Sequence, residues 1–445
     1  MFNLKKTSMV SLLLAAGVSV AIQAQAPRIG GLAQIWYTQM MDSNLRHLSS
    51  PISDPYPYYP TTYKFPGGNG THYTENGFSL KRIELSASGA IGDQVEYRIM
   101  YDVAQSNMLQ DAFIKYKMPA NVELQVGQFK ILGLDAAIIA PMNMLFVEHS
   151  QQGLLFGSRD RGASLSAGFG DPDAFNGRIH VATFNGSRRA NDANAQKDVA
   201  GRLDLRYGRQ HFLGAYAMQG STDLKDAGSL TGLQFKGLGD PSDYEYQEFM
   251  AKVLDNKDKT SIYGAFYEFD NGAFYGSVEG VTGTWGRFFP SLGLAGGEEI
   301  YARREHLDQT FLGVNVVAGY TFGNHKVMAR FDNMNYNSGD DWYVPRKQED
   351  SPGTYSEWYA WHNPYIERTL IGYDNEHREL YMKYDFTPNY TEVTFGYAYA
   401  FNPAAFRAAN IKVNYTLREK NFLKHPVTGA KHGGDSLAVA FQVAF

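Results

Sequence analysis

The last ten residues of the chain, Ser436 to Phe445, put a large apolar side chain at every second position: Leu437, Val439, Phe441, Val443 and Phe445. The alternate set is Ser436, Ala438, Ala440, Gln442 and Ala444. Successive strand side chains point to opposite faces, so this is a strand with one greasy face and one small or polar face. Its length suits a tilted crossing of a bilayer. A soluble antiparallel strand can show the same alternation, so the weight lies in its repetition. Lys81 to Ile91 sets Ile83, Leu85, Ala87 and Gly89 against Arg82, Glu84, Ser86 and Ser88. After a Gly92-Asp93 turn, Val95, Tyr97, Ile99, Tyr101 and Val103 alternate with Glu96, Arg98 and Asp102. A charged inner face of this kind needs a wet interior, which an ordinary two-layer sandwich does not have.

The N-terminus carries Lys5 and Lys6, an apolar run from Met9 to Ile22, and the small residues of Ala21-Ile22-Gln23-Ala24. This is the form of a secretory signal peptide, residues 1–24, with cleavage expected after Ala24. The apolar run is short for a retained membrane helix, which needs about 20 residues. Losing Lys5 and Lys6 takes the 41 basic residues to 39 against 46 acidic, a formal charge of −7, which argues against a nucleic-acid partner. With no cysteine, a disulfide framework and a thiolate metal site are both excluded. After the leader no 18-residue apolar run occurs, which excludes a helical membrane protein. The 30 Tyr, 28 Phe and 45 Gly suit a barrel with aromatic girdles; a large soluble all-β protein is the alternative.

Connections alternate in length along the chain. Gly208-Arg209-Gln210, Asp270-Asn271-Gly272 and Gly323-Asn324-His325 are short, whereas 41–78, 221–260, 285–308 and 337–364 are long. Short turns on one side and long loops on the other mark an up-and-down outer-membrane barrel, with residues 25–445 as its single domain. A first count gives 17 strands. Both termini on the periplasmic side demand an even number, and adding Ile366–Tyr373 before Glu379–Phe386 makes eighteen. Sixteen follows if 337–389 is one large loop.

The stretch from Arg82 to Gly186 resembles the phosphate-selective porin O and P family. The matching pieces are Lys81-Arg82-Ile83-Glu84-Leu85, Asp111-Ala112-Phe113, Gly127-Gln128-Phe129-Lys130, Phe146-Val147-Glu148-His149-Ser150 and Phe184-Asn185-Gly186, with looser matches at Asn410–Tyr415 and the terminal strand. The resemblance implies a sixteen-stranded, homotrimeric porin of the bacterial outer membrane. The terminal strand, ending on the aromatic Phe445, resembles the signal by which the barrel-assembly machinery recognises outer-membrane barrels, which makes that machinery an expected partner. His149 stands where the family usually carries Arg, and inward positions mix basic residues such as Arg178, Arg202 and Arg330 with Glu84, Glu123, Asp204 and Asp332. Such a lumen does not predict strong anion selectivity, so any preference for anions such as phosphate should be weak.

Enzyme motifs are lacking: there is no Gly-x-Ser-x-Gly elbow and no His-Glu-x-x-His. Glu148-His149-Ser150 is the most tempting catalytic grouping, but consecutive side chains diverge and pore lining explains it better. No cofactor is expected. Two functions remain: passive diffusion of ions and small hydrophilic solutes through a water-filled channel, or a surface adhesin acting through its long loops. Sixteen or more strands leave room for water, which favours the channel.

The segment 131–161 is too apolar for an ordinary external loop, with Leu132, Leu134, Ile138, Ile139, Met142, Met144, Leu145, Phe146 and Val147 close together. A membrane-surface or subunit contact would cover them. The preferred expectation is that this third loop folds into the lumen, with a short helix around Ala136–Ile139. The constriction residues are then Arg82, Arg98, Lys130, Asp135, Glu148, His149, Arg159 and Arg161. Protonation of His149 on mild acidification would favour anions. On the last strand, Phe441→Asp should disturb assembly and replacement of Gln442 should be tolerated.

Overall fold

A computed structural model describes residues 26–41, 76–106, 108–131, 138–156, 159–186, 196–223, 257–287, 307–335, 338, 369–373, 379–382, 389–418 and 435–445. The first half of the wall comprises β1 (Arg28–Met40), β2 (Asn76–Ile91), β3 (Val95–Asp102), β4 (Leu109–Met118), β5 (Val122–Lys130), β6 (Arg159–Gly170), β7 (Phe175–Phe184) and β8 (Asp198–Tyr207). The second comprises β9 (His211–Asp223), β10 (Lys257–Asp270), β11 (Phe274–Arg287), β12 (Leu307–Phe322), β13 (His325–Asn335), β16 (Asn389–Ala400), β17 (Ala409–Arg418) and β18 (Ser436–Ala444). These sixteen strands form one closed antiparallel barrel, in which β1 pairs with β18 from Leu32↔Ala444 to Met40↔Ser436. Closure gives every strand two neighbours, so no backbone edge is left unpaired in hydrocarbon.

The strand count is sixteen, not eighteen. The two extra strands, β14 (Thr369–Tyr373) and β15 (Glu379–Met382), pair with each other in a separate two-stranded sheet. β13 pairs directly with β16 over eleven residue pairs, from His325↔Tyr399 to Asn335↔Asn389, which leaves no place for a hairpin between them. A hairpin adds two strands at once, so the parity argument could not detect that it lies outside the wall.

Facing follows the alternation. On β18, Phe441 and Val443 are exposed on the outer surface, while Ala438, Ala440 and Gln442 are buried inside. Leu85, Ile99, Tyr101, Leu165, Ile179, Phe331 and Phe395 are likewise exposed outside, the surface that hydrocarbon covers. The signal peptide expected over 1–24 lies outside the described residues.

Among the described residues two ladders of the barrel wall break register, and both breaks re-aim side chains. Between β1 and β2, Gln34 faces Arg82 but Ile35 faces Leu80, so Lys81 is an extra residue. Between β3 and β4, Met100 faces Asp111 but Tyr101 faces Leu109, so Gln110 is extra. Such a bulge sets two consecutive residues against one on the partner strand. Lys81 therefore joins Arg82 on the lumen side instead of meeting lipid, and Gln110 joins Asp111.

Candidate functional site

The described part of the connection from β5 to β6 runs inside the barrel. In the ring of sixteen, β13 lies eight places from β5 in either direction, so a segment that leaves β5 and touches β13 has crossed the lumen. Its described part has a 3-10 turn at Pro141–Asn143 and a short helix, α1, at Gln151–Phe156. Of the helix expected at Ala136–Ile139, Ala136 and Ala137 lie outside the described residues and Ile138 and Ile139 lie within them.

Apolar side chains seat this segment on the inner wall. Phe146 packs with Val317, Met328 and Ala398, and Val147 with Trp36, Ala438 and Ala440. Phe146 approaches so closely because Gly396 has no side chain; a Cβ there would stand 3.1 Å from the ring. Burying side chains of this size is worth about 1.5–3 kcal/mol each.

Polar side chains then satisfy the backbone of the segment. Lys130 Nζ donates to the carbonyls of Ile138 (3.0 Å) and Ile139 (2.7 Å). Gln34 donates to Pro141 O (3.3 Å), Gln442 to Met142 O (3.1 Å) and Lys412 to Met144 O. Gln34 also donates to the Gln442 side chain (2.8 Å), so the strands that close the barrel are tied to each other and to the loop. Further on, Arg330 donates to Glu148 O (2.9 Å), and the Gln151 amide donates to Asp332.

At the centre is Glu148, buried beside Lys81 (2.8 Å) and Arg82 (3.8 Å). Burial pushes its carboxyl up; the Lys81, Arg82 and His149 charges and the Lys81 hydrogen bond outweigh that and hold it at about 2. Lys81 also lies over the Trp36 ring at 4.3 Å. The bulge at Lys81 makes this double clamp possible. Strict alternation assigns Lys81 to lipid, which is why reasoning from period two missed it.

The other expected constriction residues fall into separate groups. Arg98 meets Asp111 (3.5 Å), and Arg159 binds both Asp111 (2.6 Å) and Gln110 (3.0 Å), the pair brought together by the second bulge. Arg161 donates to Gln128 (3.4 Å), and His149 lines the chamber beside the loop. Asp135 lies outside the described residues. Asp332 and Glu392 hold Gln151 at the far end of the loop; Asp332 was readable as an inward position, but neither was readable as an anchor of the loop.

Between the loop and the wall of β8 to β13 is a chamber of about 760 Å³. Its lining mixes Arg202, Arg206 and Lys326 with Asp204, Glu268 and Glu279. Many inward charges are paired: Arg202 with Asp204 (2.8 Å), Arg178 with Glu123 (2.9 Å), Arg330 with Glu392 (2.9 Å), and Lys115 with Glu123 (3.6 Å). Among the described residues no group of three His, Asp or Glu side chains is placed to hold a metal ion.

Solved structures share this architecture at low sequence identity. The outer membrane channel DcaP of Acinetobacter baumannii aligns over 94% of this chain and 97% of its own, with a TM-score of 0.52 and 10% identity. OmpT of Vibrio cholerae aligns over 96% and 100% with a TM-score of 0.47 and 8% identity. An anion-selective porin from Comamonas acidovorans aligns over 94% and 99% with a TM-score of 0.47 and 9% identity. The first of these supports the fold. Comparison with curated proteins gives no match. The family model for phosphate-selective porin O and P matches residues 61–324, more than half of the chain. The match includes the central strands, which the sequence resemblance left unassigned, and excludes the looser matches near Asn410 and the C-terminus. The chain therefore belongs to the phosphate-selective porin O and P family, and its sixteen-stranded barrel is that of an outer-membrane porin.

Proposed function

We propose that this porin admits ions and small hydrophilic solutes with weak charge selectivity, through the space left beside the inward-folded loop. The observation that carries this reading is the pairing of charge along the lumen. Arg98, Arg178, Arg202 and Arg330 each lie within 3.5 Å of a carboxylate oxygen, so their fields are largely cancelled at the distance of a passing ion. The phosphate preference in the family's name is therefore not carried over to this chain. Arg82, Arg98, Lys130, Glu148, His149, Arg159 and Arg161 are the proposed constriction residues, together with Lys81; Asp135 stays on that list from sequence alone. Protonation of His149 would add positive charge to the chamber. Family and fold are those of a channel rather than an enzyme, and a passive role without catalysis or cofactor is part of the proposal.

The leader at 1–24 and a homotrimeric assembly belong to the proposal too, the first on its charge and apolar pattern and the second on family resemblance. So does recognition of the strand ending at Phe445 by the barrel-assembly machinery. Reversal potentials across a planar bilayer under a tenfold KCl gradient test the central reading. A value near zero is expected, and a near-ideal anion or cation potential would overturn it.

A further inference from the structure

Two histidines occupy equivalent places on the outer surface, at the end of the barrel where the short turns lie. His211 follows the turn at Gly208, and His325 follows the turn at Gly323; both glycines have positive φ, 57° and 58°. Each histidine shares the outward face of its strand with exposed apolar residues, Leu213 on β9 and Val327 on β13. Each also sits within an aromatic cluster. His211 lies 5.3 Å from Phe269, 6.0 Å from Tyr207 and 6.1 Å from Tyr267; His325 lies 5.2 Å from Phe322, 5.3 Å from Tyr399 and 6.0 Å from Tyr397.

The polar contacts repeat as well. His211 Nδ1 shares a 2.8 Å hydrogen bond with the Tyr267 hydroxyl, and His325 Nδ1 shares one of 2.8 Å with the Tyr397 hydroxyl. An imidazole nitrogen of a neutral ring accepts better than a phenol oxygen, which assigns the tyrosine as donor and the histidine proton to Nε2. Neither Nε2 has a hydrogen-bond partner among the described residues. Tyrosine and phenylalanine alone would make an ordinary interfacial girdle. A histidine fixed at its centre, with one N–H left over, adds a directed donor at headgroup depth.

We propose that His211 and His325 are two equivalent phospholipid sites, each Nε2–H donating to a headgroup phosphate in the periplasmic leaflet while the surrounding rings contact the upper acyl chain. Short turns face the periplasm in barrels of this kind, which fixes the leaflet. The aromatic surround requires a ligand with an apolar portion beside its anion, which selects a lipid over free phosphate.

The test is native mass spectrometry of the full-length protein released from detergent micelles containing either phosphatidylglycerol or diacylglycerol of the same chains. Two phosphatidylglycerols retained per chain are expected, with at least several-fold less diacylglycerol. His211→Phe and His325→Phe keep a ring in the cluster and remove the donor, so each should lose one bound lipid and the double variant both. Tyr267→Phe and Tyr397→Phe free Nδ1 but leave the histidine, and should weaken retention without abolishing it. Unchanged single-channel conductance establishes that the variants are folded. Equal retention of the two lipids, full retention by the double variant, or displacement of the lipid by millimolar inorganic phosphate would each overturn the proposal.

Discussion

At Glu148 a single carboxylate joins the loop to the wall. Its ordinary value of 4.5 is lowered to about 2, so the ion pair stabilises the folded barrel fully above about pH 4.5. That stabilisation is lost as pH falls towards 2. The shift corresponds to something on the order of 3 kcal/mol. Conductance should therefore hold steady between pH 7 and 5 as far as this contact governs it, and change below about pH 3. Glu148→Gln should bring the low-pH behaviour to neutral pH and leave Lys81 and Arg82 facing an uncharged amide. Its reversal potential should move towards anions, and its resistance to heating in SDS should fall; single-channel recording and gel mobility check both. Much of this site was legible from period two alone, since Arg82, Arg98 and Asp102 face where their positions in the alternation put them. Lys81 and Gln110 were not, because a bulge is one extra residue that no alternating pattern announces.

The elements divide in the same way. β18 is arranged as its sequence says, with Phe441 outside and Gln442 inside. Phe441→Asp should lower the yield of assembled barrel, at a cost of a few kcal/mol if the site is near the bilayer midplane and less near its edge. Gln442, however, is no inert lumen position. It accepts from Gln34 and Lys412, donates to Met142 O and to Arg407 O, and is 1% exposed. The expectation that its replacement is harmless is withdrawn: Gln442→Ala should lower heat resistance measurably, whereas Ala444→Ser should not. The hydrophobicity of the third loop correctly located it inside, because exposed apolar surface on that scale has to be covered. Its anchors on β13 and β16 could not be read, since they depend on which strands the loop meets after crossing the lumen. The β14–β15 hairpin shows the same limit: strand propensity identified two strands, but only the unbroken β13–β16 ladder reveals that they do not belong to the wall.

At the level of the whole barrel, the loop lies over the junction of the first and last strands. Gln34 on β1 and Gln442 on β18 hold each other and also hold Pro141 and Met142, and Val147 packs on Trp36 of β1 and Ala438 and Ala440 of β18. Deleting residues 136–143 should raise single-channel conductance; an unchanged value in an assembled deletion would mean that the loop does not narrow the channel. The same deletion removes the carbonyls that Gln34 and Gln442 bind. Bore and seal are thus set by one strip of chain, and a wider opening comes with a weaker weld where the cylinder closes on itself. Across a series of loop variants, conductance and thermal endurance should rank in opposite orders. A version of this porin that is both wide and durable would need a new fastening between its first and last strands.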